Sequence, residues 1–312
     1  MRVVVALGGN ALLQRGEKPD AGIELGHVRT AAKALAPIAR EHELIICHGD
    51  GPQVGMLAME SENDHTLSGS YPLDVLVAQT QGMIGYWLTQ SLHNAGVTKP
   101  ILSLVTQTVV DHNDPAFAHP TKFVGGDYDH AQAKDLASKY DWTIAADGDS
   151  WRRTVASPEP QRLIEHDSVT ALLQHNTVVI CGGGGGAPVY EDAHGQLTGV
   201  PAVVDKDLVA ALLAINLHAD RLVVLTDVPA VMANFGTPQA SALSQLSVDD
   251  LGGMQFPAGS MAPKIEACRR FVAATGSPAA IGGLADAAAL LEGTAGTTIT
   301  ASPARDRVAP GR

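Results

Sequence analysis

Arg2-Val3-Val4-Val5-Ala6-Leu7-Gly8-Gly9-Asn10 decides the fold. Its aliphatic run shows little alternation and reads as a strand buried on both faces. It ends on adjacent glycines, where backbone N–H groups meet an anion without side-chain obstruction. The pattern returns at Leu44-Ile45-Ile46-Cys47-His48-Gly49-Asp50-Gly51-Pro52-Gln53-Val54-Gly55. There a strand over Leu44–Cys47 gives way to a turn, and Pro52 suits the first helical position. The free N–H groups of that turn and the helix dipole would also face an anion. Further strands are expected at Ile101–Thr106, Thr177–Cys181, Ala202–Val204 and Arg221–Leu225. Helices are expected at Ile23–Arg40, Asp74–Asn94, Asp207–Leu217 and Pro263–Thr275. This βαβα order predicts an α/β fold, a mainly parallel open sheet between two helical layers. Ligands in such sheets bind where strand C-termini turn into helices.

The chain of 312 residues carries a formal charge of −12. That balance argues against nucleic acid and acidic membrane surfaces as partners, which need a basic face. It leaves room for a small anion in a cleft, where a few lysines reverse the local field. With 45% apolar residues the chain is too hydrophobic for disorder, and no apolar run is long enough to span a bilayer. The N-terminal apolar run is too short for a signal peptide, so a cytoplasmic protein is expected. Cys47, Cys181 and Cys268 have no disulfide or zinc spacing, and Cys47 and Cys181 read as small buried residues.

From about Asp111 to Pro160 the rhythm breaks. The segment is rich in His, Asp, Gly and Pro, with one convincing helix around His130–Tyr140. Phe117, Phe123, Tyr128, Trp142 and Trp151 point to a small core of its own, hence an inserted subdomain or lid over about 112–160. The whole reads as one domain over 1–304, with the nucleotide-side half at about 177–304 and a flexible tail at 305–312.

A third loop, Gly182-Gly183-Gly184-Gly185-Gly186, formally meets a relaxed dinucleotide fingerprint. Pro188-Val189-Tyr190 and His194-Gly195-Gln196 do not read as the helix that fingerprint requires, so that reading is rejected. The Walker A spacing is also absent. Two lysines, Lys206 after Asp205 and Lys264 after Pro263, stand at helix N-termini. Cations are unfavourable there by about 0.3–1 kcal/mol, and a bound anion would offset the repulsion. Asp205 or Asp207 would hold these ammonium groups or help hold Mg²⁺, or serve only as a helix cap. Lys122 sits in the inserted segment, where an isolated lysine ordinarily is just exposed. Arg152-Arg153 would reach a phosphate or pair with acids. The twelve histidines show no zinc-type motif.

Taken together, the motifs resemble the carbamate kinases within the amino acid kinase family. The likeness runs through nearly the whole chain: Val5–Leu12, His48–Gly55, Gln81-Gly82-Met83-Ile84-Gly85-Tyr86 and Asp114-Pro115-Ala116-Phe117. It continues through Pro120-Thr121-Lys122, Trp151-Arg152-Arg153, Gly182–Gly185 and Val204-Asp205-Lys206-Asp207-Leu208. Leu225-Thr226-Asp227-Val228, Gly259-Ser260-Met261 and Pro263-Lys264 complete it. The resemblance implies a three-layer αβα sandwich with a protruding subdomain, and a homodimer. It implies reversible phosphoryl transfer between ATP and carbamate, with Mg²⁺ carried by the nucleotide phosphates and no metal ligand assigned in the protein. In cells such enzymes usually run toward ATP during arginine or purine-derivative breakdown. Lys122, Lys206 and Lys264 would be the catalytic cations, with Asp207 organising Lys206 and Lys264. Gly8, Gly9, Asn10, Gly49, Asp50 and Gly51 would bind the acceptor and the transferring phosphoryl. Asp205, Thr226, Asp227, Phe235 and Gly236 would lie near the nucleotide. Ala6 stands where the broader family often has lysine, a place a lid lysine is thought to compensate. Asp50 stands where carbamate kinases usually have asparagine, which keeps open a kinase of another small carboxylate or a catalytically weak binder of carbamoyl phosphate or nucleotide.

Overall fold

In the computed structural model, residues 1–14, 16–254, 256 and 261–301 are described. Gly259, Ser260 and the 305–312 tail lie outside the described residues, as does the side chain of Asn10. The central sheet holds β1 (Arg2–Leu7), β2 (Glu43–His48), β3 (Ile101–Ser103), β4 (Val178–Ile180), β5 (Arg221–Thr226), β6 (Gln245–Ser247), β7 (Ala279–Gly283) and β8 (Thr297–Thr300). Their order across the sheet is β6-β8-β7-β5-β1-β2-β4-β3. Every pairing is parallel except β7 with β8.

The first strand shows why two helical layers form. Val3, Val5 and Leu7 enter one apolar core, and Val4 and Ala6 enter the other. The first core is closed by α1 (Ala21–Glu41), through Val28 and Leu35, and by α3 (Leu73–Asn94), through Ile84 and Leu88. The second is closed by α5 (His166–Gln174), α6 (Lys206–Asn216) and α7 (Met261–Thr275). A strand with no polar face admits no other solution, because each side must lose its water. The result is an αβα sandwich.

Two further pieces matter for the cleft. The helix α2 (Gly51–Asn63) leaves β2, and the helix α4 (His130–Tyr140) belongs to the inserted segment. Around α4 lies an antiparallel sheet of Lys122–Tyr128, Ser150–Val155 and Thr143–Asp147. It seats on α2: a Cβ on Gly55 would overlap the backbone of Gly125. Val54 and Ala58 share a small core with Val124 and Val155. Glu62 accepts from Trp142 Nε1 at 3.2 Å and pairs with Arg153 at 3.4 Å.

Several expectations need correction. Ala202–Val204 is not a strand, and only Ala202 makes a bridge, to Ala156. Ala202 and Val204 are buried in one main core and Val203 in the small core with Val54 and Val124, and burial alone does not specify a ladder. The third strand ends at Ser103 rather than Thr106, because Gln81 captures the Thr106 N–H at 2.9 Å. The helix expected from Pro263 begins two residues earlier, at Met261, since a proline in the first turn removes no needed hydrogen bond. Phe117 packs on the main core and is not part of a separate aromatic one. In the inserted segment Tyr128 and Tyr140 flank Trp142, with ring centroids at 6.4 and 5.5 Å. The glycine run leads into a strand, Ala187–Glu191, as its lack of a helical pattern requires.

Candidate active site

The C-terminal ends of β1 and β2 bring the two glycine turns into contact. Gly8 N–H donates to the Leu225 carbonyl at 3.1 Å, and Gly49 N–H to the Leu7 carbonyl at 2.9 Å. A Cβ on Gly49 would come 2.9 Å from the Gly9 nitrogen, so the turns touch. A Cβ on Gly9 would meet nothing nearer than Pro52 Cδ at 4.0 Å, so the space above it opens into a cleft. That cleft has a volume of about 2260 Å³. Gly8, Gly9, Gly49, Asp50 and Gly51 line its wall.

The glycine run props this wall from behind. Thr106 accepts from Gly182 N–H through its hydroxyl at 2.9 Å, and Thr108 donates to the Gly185 carbonyl at 2.6 Å. Gln81 in turn holds Thr106 through its amide, at 2.9 to 3.1 Å. A Cβ on Gly85 would overlap Ser103. The 81–86 motif is therefore scaffolding, and a buried polar network of this kind fixes the loop because every member is satisfied.

Three ammonium groups meet in the cleft. Asp205 caps α6, accepting from the backbone N–H of Asp207 at 2.9 Å and of Leu208 at 3.4 Å. Its other oxygen accepts from Lys122, delivered by the inserted sheet. Asp207 divides its carboxylate: Oδ1 accepts from Lys206 at 2.9 Å and Oδ2 from Lys264 at 3.2 Å. Asp207 is 2% exposed and Lys206 8%. Lys122, Lys206 and Lys264 line the cleft, while Asp207 stands behind them.

The charges follow from burial against neighbours. Burial works to raise the pKa of Asp207, but Lys206 and Lys264 overcome it and hold the carboxyl well below its usual range. Burial also opposes the Lys264 charge, yet Asp207 and Asp205 keep its pKa above that of an ordinary lysine. For Lys206 burial prevails over Asp207, and its pKa is lowered. His48 is buried and stays neutral, its pKa pushed down to about 4.

On the far side, Thr226 donates to Asp227 at 3.1 Å. Both line the cleft with Val228, Met232, Phe235 and Phe256. Phe235 is 65% exposed, an apolar ring open to an aromatic ligand. Gly236 has φ +79° in the turn that follows and is not on the described wall. Arg152 and Arg153 pair with acids: Arg152 with Asp147 at 3.1 Å, Arg153 with Glu62. Sequence reasoning missed Met56, Met59, Met232 and Met254 on the wall. Scattered methionines carry no spacing signal, and only the closed fold gathers them. Among the described residues no group of three or more His, Cys, Asp or Glu is placed to hold a metal ion.

The sequence model of the amino acid kinase family matches residues 1–283. A carbamate kinase of Rhizobium meliloti (strain 1021) is 48% identical over 305 residues, covering 97% of this chain and 94% of that protein. A carbamate kinase of Haemophilus influenzae is 47% identical over 301 residues, covering 96% of this chain and 97% of its own. Among solved structures, carbamate kinase from Giardia lamblia bound to citric acid superposes with a TM-score of 0.91 at 36% identity. That alignment covers 96% of this chain and 98% of the other. The same Giardia enzyme bound to AMP-PNP gives a TM-score of 0.86, also at 36% identity, over 96% and 98% of the two chains.

Proposed function

The chain belongs to the amino acid kinase family, within its carbamate kinases, and we propose that its glycine turns and three lysines carry out phosphoryl transfer between ATP and carbamate. The reaction is reversible: ADP and carbamoyl phosphate give ATP and carbamate, which then falls to carbon dioxide and ammonia. The observation that carries the reading is Asp207, which splits its two oxygens between Lys206 and Lys264 beside paired glycine turns.

Phosphoryl transfer asks for positioning and charge neutralisation more than covalent chemistry. Carbamate is already an anionic nucleophile, so no general base is needed. Backbone N–H groups of Gly9, Asn10, Asp50 and Gly51 would hold the acceptor and the moving phosphoryl, while Gly8 and Gly49, whose own N–H groups bond Leu225 and Leu7, keep the two turns together and leave the wall free of side chains. Lys206 and Lys264 would neutralise the charge spread over its oxygens, each as a compact point charge. Asp207 keeps both ammonium groups aimed. Lys122 rides on the inserted sheet, so its charge would complete the site as that sheet seats. Thr226, Asp227 and Phe235 would take the nucleotide, Gly236 would serve only to turn the chain after Phe235, and Asp205 would position Lys122.

Mg²⁺ fits as a guest of the nucleotide phosphates. The described residues build no three-ligand cage, and Mg²⁺ ordinarily binds through one or two carboxylates plus substrate phosphates. Asp227 on the cleft wall would be such a carboxylate on the nucleotide side. When bound, the ion would neutralise phosphate charge.

We further propose a cytoplasmic homodimer working toward ATP in arginine or purine-derivative breakdown. Among the described residues no helix is long and apolar enough to cross a membrane. Tyr86, Leu102 and Val105 are 60%, 45% and 52% exposed beside the edge strand β3, an apolar face suited to a second copy. The deciding assay is ATP formation from ADP with carbamoyl phosphate, run beside acetyl phosphate. Turnover of the first and none of the second is expected; equal turnover of both, or none of either, refutes the substrate assignment.

A further inference from the structure

The carboxyl of one buried residue of the cleft wall is unused by this mechanism, which draws only on its backbone. Asp50 is 1% exposed and lines the cleft between Gly49 and Gly51. It is the residue before α2, yet its side chain caps nothing. It turns instead to α3, where Thr80 Oγ lies 2.6 Å from its Oδ2. Among the described residues it forms no ion pair, whereas Asp205 and Asp207 in the same region are both bound to lysines.

Hydrogen counting indicates which form fits. Thr80 has one hydrogen to give, and two oxygens stand within reach: Asp50 Oδ2 at 2.6 Å and the Val77 carbonyl at 2.9 Å. With a carboxylate, that hydrogen serves only one of them. With a carboxylic acid, Asp50 donates to Thr80 and Thr80 donates to Val77, so both contacts become hydrogen bonds. On the opposite side a Cβ on Gly184 would overlap the Asp50 carboxyl, so no side chain approaches from the glycine run. The charged groups that face Asp50 are Lys122 on the inserted sheet and Lys206 on α6, and both favour its anion. His48, in its own turn, is neutral. Burial outweighs Thr80 and the lysines and pushes the Asp50 pKa up to about 6.

We infer that Asp50 is the neutral acid of the acceptor pocket: carbamoyl phosphate binds the form in which Asp50 carries its proton, and the Asp50 anion excludes it. The proton comes from solvent on binding and returns on release, with no covalent step. The inference rests on the proposed carbamoyl phosphate chemistry and adds a specificity device to it. Apparent affinity falls with the fraction of competent protein. For a group titrating near 6, KM for carbamoyl phosphate is expected to rise roughly tenfold from pH 5 to 7 and roughly tenfold again by pH 8.

The test is KM for carbamoyl phosphate across that range, with saturating ADP and Mg²⁺, in the wild type and in Asp50→Asn. The variant keeps the size and an N–H donor for Thr80 but has nothing to ionise. The wild-type to variant KM ratio cancels the titration of the ligand and of the lysines. It should be near one below pH 5 and climb about tenfold per unit above pH 6, while the same ratio for ADP stays flat. A carbamoyl phosphate ratio that is flat across the range overturns the inference. Absence of turnover by either protein at every pH removes the functional reading itself, and this inference with it. If Asp50→Asn gives no cooperative melt, Asp50→Ser, equally uncharged, is read in the same way.

Discussion

Asp207→Asn is the perturbation that most directly probes the site. The side chain is 2% exposed and serves Lys206 at 2.9 Å and Lys264 at 3.2 Å. Asparagine keeps the shape, retains one acceptor and sets an N–H against the other ammonium. Removing one member of a buried charge network costs about 3–5 kcal/mol. At roughly 2 °C per kcal/mol for a chain of this size, the melting midpoint should fall by roughly 6–10 °C near neutral pH. The sign with pH is set by the depressed pKa of Asp207. Its stabilisation is fully present above the ordinary carboxylate range and is lost as pH falls below it, so the deficit of the variant should shrink in acid. On activity, both lysines lose their aim. Loss of one preorganised transition-state donor costs about 10²–10³ in kcat. The two lysines act as a unit and their losses do not add, so a fall of about 10³ is expected. Lys206, already lowered by burial, should then shed its proton more easily, and the variant's rate should decline toward alkaline pH. The assay is ATP formation from ADP and carbamoyl phosphate, beside a thermal melt. Wild-type kcat together with an unchanged midpoint would refute the role given to Asp207.

Lys206→Ala or Lys264→Ala should each cut kcat by about 10²–10³, read in the same assay; wild-type rates in both would remove the lysine assignment. Gly9→Ala should leave the melt nearly unchanged, since its Cβ clears protein atoms to 4.0 Å, but should raise KM for carbamoyl phosphate by filling the anion's space. Gly55→Ala, which drives a Cβ into the Gly125 backbone, should instead lower the midpoint. Asp50 holds its proton to about 6 when folded, so folding takes up a proton between about pH 4 and 6 and stability falls as pH rises through that window. The total is about 3 kcal/mol, and Asp50→Asn should recover it above pH 6 in urea melts of the ligand-free protein. His48, held neutral to about 4, has the opposite slope, because the unfolded chain takes up the proton first; its contribution is lost as pH falls below about 6.5. Leu102→Asp at the exposed edge should convert a dimer to a monomer in sedimentation, and a monomeric wild type would dismiss the homodimer.

Much of the frame was legible in the chain. The bounds of β1, Arg2–Leu7, and of α4, His130–Tyr140, are visible in the sequence, because a continuous aliphatic run and a capped helical stretch are local signals. The glycine turns were legible for the same reason: a strand that stops on glycines can be read without knowing its neighbours. The inserted sheet was not, since Lys122–Tyr128 is half polar and its partners lie more than twenty residues away. Ala202–Val204 misled because β-branched burial without a paired edge looks the same in sequence as a strand.

By itself the sequence determined the period of the main helices and of most central strands, the order βαβα and which residues carry charge at helix starts, since these depend on contacts within a few residues. Only the tertiary structure decided that positions 122, 206 and 264 share two neighbouring carboxylates, and that Asp50 turns away from its own helix toward Thr80. The reason is geometric: sheet order and the seating of the inserted sheet set those meetings, and neither is written in any local pattern.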